Sequence, residues 1–115
     1  VDADEYLRLA LRTEAPGRPQ RERLLNAALG LAGEAGEFAD GIKKHAFHGH
    51  PLDEAALRKE LGDVLWYAAL ACDALGLTLS EVMAANVEKL RRRYPDGFSS
   101  ARSIERDPDE SNEQL

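Results

Sequence analysis

Four carboxylates stand in two matched pairs in this chain: Glu34 and Glu37 within "LAGEAGEFADGIKK" (Leu31 to Lys44), and Glu60 and Asp63 within "ELGDVLWY". The members of each pair are one helical turn apart. Like charges so placed destabilise an exposed helix by about 0.2–0.5 kcal/mol, and by more as the dielectric falls. A divalent cation turns that repulsion into coordination, and an all-oxygen ligand set selects a hard ion, Mg²⁺ or Mn²⁺, over zinc or copper. A solitary Glu-x-x-Glu is ordinary on a solvated helix face. Two such pairs in equivalent positions on adjacent helices point to a site.

A complementary charge follows later in the chain. Leu79, Met83, Asn86 and Leu90 form a helical stripe in which Asn86 interrupts the apolar positions with an amide that needs partners. Lys89 and Arg93 continue from it by three and four residues, and an amide, an ammonium and a guanidinium in one stripe suit phosphate oxygens. Arg91 and Arg92 read instead as charges that complement a helix C-terminus.

The elements that position these residues are helical. Leu and Ala dominate while Val, Ile and aromatics are few, which favours helix over sheet. A short helix is expected within Asp2 to Glu14, broken by "APGRP"; a long one from about Gln20 to Phe47; and, after the loop "HGHPLD", a second long one from about Glu54 to Leu75, with Gly76 past its end. Thr78 with Glu81 makes a capping box for a further helix that Pro95 stops near Tyr94. The short loop makes the two long helices an antiparallel pair.

Their apolar positions repeat in steps of four and three: Leu24, Ala28, Leu31, Ala35, Phe38 and Ile42 in the first, and Leu57, Leu61, Val64, Ala68, Ala71 and Leu75 in the second. Both are heptad seams of the kind that pack in bundles. With Leu31 and Leu57 at d, Glu34 and Glu60 fall at g and Glu37 and Asp63 at c, so the acids occupy matched flanks. The expected fold is an all-α bundle of about four helices, a single domain over residues 1–104 followed by an acidic, flexible tail over 105–115.

The 115 residues are one domain's worth, and a net charge of -6 argues against coating a nucleic acid polymer, which needs a basic surface. One cysteine, Cys72, makes no internal disulfide and reads as a small core residue. The absence of a signal peptide and of a membrane-length apolar run leads to the expectation of a cytoplasmic protein with no membrane partner. Trp66 reads as packing, and His48 and His50 as loop residues or weak substrate contacts.

The strings "EAGE", "IKKHAFHGH", "ELGDVLWY" and "NVEKLRRRYPDGF", in this order and spacing from about Ala28 to Arg102, resemble the MazG-like all-α nucleoside triphosphate pyrophosphohydrolases. The resemblance implies hydrolysis of a nucleoside triphosphate between the α and β phosphates, giving the monophosphate and pyrophosphate, as in the house-cleaning of nucleotide pools. It assigns Glu34, Glu37, Glu60 and Asp63 to Mg²⁺, with Mn²⁺ as a substitute, and leaves open whether one of them, Glu37 for instance, is the general base. Lys89 and Arg93 would neutralise the phosphate chain, with Asn86 and Lys44 orienting it. Tyr67 would pack on sugar or base, or serve as a half-buried interface tyrosine.

Similar proteins are dimers or tetramers, and Leu25, Leu65 and Leu70, which lie beyond a single seam, lead to the same expectation of a homo-oligomer. Two other readings remain: a non-catalytic bundle that binds nucleotides or a partner, and a carboxylate di-iron bundle. The latter lacks its usual Glu-x-x-His pairs.

Overall fold

The computed structural model describes residues 1–105 and falls into two compact units, one running Val1–Thr78 and one beginning at Leu79. The first holds α1 (Ala3–Leu11), α2 (Gln20–His48) and α3 (Glu54–Ala74), and the second α4 (Leu79–Arg93) and α5 (Ser100–Ile104). The described residues are all-helical, as the composition leads one to expect, with one more helix than expected. Of the acidic tail only Glu105 lies within the described residues.

Local chemistry sets the ends of the helices in the first unit. Asp2 caps α1 by accepting a hydrogen bond from the Glu5 amide at 2.8 Å. At the other end of the long α2, Gly49 takes a left-handed φ of 73° and turns its N–H back to the Lys44 carbonyl. Asp53 then caps α3 by accepting from the Ala56 amide at 3.1 Å. That helix closes at Gly76 (φ 76°), where the Leu77 amide donates to the Cys72 carbonyl at 2.9 Å.

α2 and α3 run antiparallel. Gln20 Nε2 donates to the Ala74 carbonyl at 2.8 Å, Arg23 bridges Glu14 and Asp73, Gly30 faces Tyr67, and Gly41 faces Leu57. Contacts thus climb one helix as they descend the other. The turn after α1 joins α3 through a hydrogen bond from Trp66 Nε1 to Thr13 Oγ1 at 2.8 Å, and α1 itself buries Leu7 and Ala10. Trp66 is therefore an anchoring residue. Ala69, Leu70, Cys72 and Ala74 of α3 are buried as well, and burial raises the Cys72 thiol pKa.

The contact line on α2 is rotated from the heptad seam. Ala28 and Ala35 are exposed, whereas Ala27 is buried and Gly30, Glu34 and Gly41 are half-buried on the α3 side. Tyr67 occupies the space a Cβ on Gly30 would need, and a Cβ on Gly41 would lie 3.1 Å from Leu57. Close approach is won where α2 presents its smallest residues, so the glycines turn inward while Leu24, Leu31 and Phe38 flank them. On α3 the shift is equivalent: Glu60 and Tyr67 turn inward, and Leu61 and Leu75 are exposed.

In the second unit α4 ends at the turn "YPDGF". Gly97 adopts φ 89°, its amide donates to the Tyr94 carbonyl at 3.1 Å, and the Tyr94 and Phe98 rings lie 5.5 Å apart. Ser99 caps the five-residue α5, and the Arg102 guanidinium donates to the carbonyls of Arg92 and Arg93 at 2.7 and 2.6 Å. Those carbonyls are otherwise left over at the end of α4.

Candidate metal centre

The rotation of α2 brings acids to the helix interface. Glu34 of α2 and Glu60 and Asp63 of α3 each offer a carboxylate oxygen, and these oxygens all lie within 4.8 Å of one another. Glu34 and Glu60 are half-buried and Asp63 is exposed, so the group opens to solvent on one side. Glu37, one turn farther along α2, is exposed and lies outside the group.

The electrostatics are those of crowded anions. A hydrogen bond with Glu60 is the largest cause, followed by partial burial and the charges of Glu60, Asp63 and Glu37; together they push the Glu34 pKa up to about 7. Glu60 Oε2 is buried and accepts no hydrogen bond. An orphaned anionic oxygen in a group of three carboxylates fits a hard divalent cation, because the cation supplies the missing partner and removes the repulsion. The group contains no nitrogen or sulfur ligand, which suits Mg²⁺ or Mn²⁺ rather than zinc.

The remaining expected residues fall into different settings. Lys44 lies on α2 with its ammonium 3.0 Å from Asp40, whose pKa is lowered chiefly by that contact. Tyr67 sits at the α2–α3 interface, seated on Gly30 with its ring edge-on to Trp66 at 4.9 Å. Asn86, Lys89 and Arg93 share α4 in the second unit; Asn86 is exposed, the other two are half-buried, and Arg93 Nε is buried without a hydrogen-bond partner.

Tyr6 of α1 is a neighbour of the site that sequence reasoning misses. Burial, and then the Asp63 charge, raise its pKa. Its signal in the sequence is only a place on the apolar side of α1, which does not separate a core tyrosine from one beside an acid.

A family model, the MazG nucleotide pyrophosphohydrolase domain, matches residues 22–98, which include all of α3 and α4 and both pairs of acids. The chain is also similar to the Gene 37 protein of Mycobacterium phage L5, at 38% identity over 80 residues that cover 66% of this chain and 70% of that protein. No solved structure matches it.

Proposed function

Because the chain belongs to the MazG nucleotide pyrophosphohydrolase domain family, we propose that it hydrolyses a nucleoside triphosphate between the α and β phosphates, in a Mg²⁺-dependent reaction that Mn²⁺ also supports. The observation that carries this reading is the three-carboxylate group with its orphaned Glu60 oxygen. Glu34, Glu60 and Asp63 hold the cation. Bound there, a divalent ion neutralises phosphate charge and acidifies a water molecule.

Glu37, one turn from Glu34 and outside the group, accepts the proton of the attacking water. Attack at the α phosphorus breaks its bond to the bridging oxygen, and pyrophosphate leaves. On α4, Lys89 and Arg93 are suited to neutralise a phosphate chain and Asn86 to orient it, each a hydrogen-bond donor to phosphate oxygens, whereas the Lys44 ammonium on α2 is engaged by Asp40. With its ring committed to Gly30, Tyr67 holds the helix interface.

The same reading includes a homodimer or homotetramer acting in cytoplasmic nucleotide house-cleaning. Supporting it, Leu25 and Leu29 are 51% and 71% exposed on α2, in line with Gly33 and Gly36, beside which there is open space. On α3, Leu61 and Leu65 are 49% and 54% exposed. A second copy of the chain would cover these apolar residues.

Product identification tests the reaction. Phosphorus NMR of a nucleoside triphosphate incubated with the protein and Mg²⁺ should show monophosphate and pyrophosphate in equal amounts. Orthophosphate as the first product, or no turnover across a panel of canonical and modified nucleotides, overturns the proposal.

A further inference from the structure

The α2–α3 hairpin carries a cavity that the carboxylate group does not occupy. It has a volume of about 250 Å³ and is lined by Gly41, Lys44, His50, Asp53, Ala56 and Leu57. The backbone of its loop is pinned on both sides of His50. The His50 amide donates to the Lys44 carbonyl at 3.2 Å, and His45 Nδ1 donates to the His50 carbonyl at 2.8 Å. Asp53 is held in turn by its capping bond to Ala56.

The lining combines one pure donor, Lys44, one pure acceptor, Asp53, and an imidazole that can do either, beside the apolar Ala56 and Leu57. A few convergent polar groups on an apolar floor are the usual composition of a small-molecule site. Charge argues against a phosphate here: Asp53 repels it, and Asp40 already balances the Lys44 ammonium. A flat heterocycle with donors and acceptors along its edge fits better.

Size and position agree. The volume lies below the roughly 300–1,000 Å³ of pockets that enclose a whole drug-sized ligand, so the cavity suits one part of a larger molecule. Leu57 is one turn before Glu60, and Gly41 two turns after Glu34. At a rise of about 1.5 Å per residue, the cavity lies roughly 5–10 Å along the hairpin from the carboxylates, a span that a sugar can bridge.

We propose that this cavity is the subsite for the nucleobase of the substrate, with His50 and Asp53 reading the edge of the base. The inference rests on the pyrophosphohydrolase reading for the phosphate half of the same ligand. "FHGH", which that reaction leaves without a role, thereby acquires one: Gly49 makes the turn and His50 meets the base.

The experiment titrates the full-length, metal-free protein with nucleoside monophosphates of each base and with deoxyribose 5-phosphate, followed by amide and imidazole NMR. One base should shift the signals of residues 44–57 saturably. His50→Ala, in an exposed loop, and Asp53→Asn, which retains a capping side chain, should each weaken that binding about tenfold, the size of one lost hydrogen bond. Neither should alter binding of the base-free sugar phosphate. Shifts confined to other residues, no shifts at all, or variants that bind the base like the wild type overturn the subsite. A protein that binds the base here yet releases no pyrophosphate contradicts the reaction and leaves the subsite standing; pyrophosphate release with unaffected variants does the reverse.

Discussion

Glu34 of α2 and Glu60 of α3 bring their carboxylate oxygens within 4.8 Å of each other across the helix contact, where a proton held by Glu34 relieves the repulsion that a cation would relieve in the loaded site. Glu34 binds that proton up to a pH of about 7, against an ordinary 4.5.

Stability without metal should follow this shift. A carboxyl whose folded pKa lies above its unfolded value contributes stability that is fully present below pH 4.5 and is lost as pH rises through about 7. The melting temperature of the metal-free protein should therefore carry a component that falls across this window. Glu34→Gln should remove that component and melt higher than wild type above pH 7. Parallel wild-type and variant profiles from pH 4.5 to 8 would contradict the shared proton.

Cation binding should displace the same proton. Mn²⁺ titrated calorimetrically at pH 6 in buffers of different ionisation enthalpy should release close to one proton per site, and release should fade above pH 8, where Glu34 is already ionised. Apparent affinity should rise toward tenfold per pH unit below 7. Affinity independent of pH would place the ion elsewhere.

Two glycines on α2 should respond in opposite ways. Alanine at Gly30 meets the Tyr67 ring, and overpacking of this kind costs about 1–3 kcal/mol. Alanine at Gly33 meets nothing within its own chain, and in the monomer relieving a helical glycine stabilises by about 0.5–1 kcal/mol. Urea denaturation of Gly30→Ala and Gly33→Ala should separate them in sign. Equal midpoints would deny the close approach that seats Tyr67.

Most of the fold is legible in the sequence because the stop signals are local. "APGRP", the glycine of "HGH", Asp53 and Gly76 act within a turn of their own positions, and the helices end beside them. The rotation of α2 is not legible. A heptad reading ranks positions by hydrophobicity, and the line it draws through Ala28 and Ala35 passes beside Gly30 and Gly41, whose contribution is the absence of a side chain. α5 escapes because five residues carry too little periodicity, although Ser99 offers a cap.

The candidate site is legible to the extent that its geometry is helical. Spacing puts Glu60 and Asp63 on one turn and pairs them with Glu34 across a short loop, and these three do meet. It treats Glu37 the same way, yet Glu37 is exposed and lies outside the three-carboxylate group. Tyr6 is invisible because its relation to Asp63 depends on how α1 packs against α3, which no spacing within either helix encodes.

Pyrophosphate release by wild type and by Asp63→Asn, each measured with Mg²⁺ and with chelator, tests the central claim most directly. The wild type should release pyrophosphate only with the metal, and the variant should lose turnover while its circular dichroism and melting remain those of a folded helical protein. Undiminished, metal-dependent turnover in folded Asp63→Asn would show that this carboxylate group is not the metal centre of the reaction.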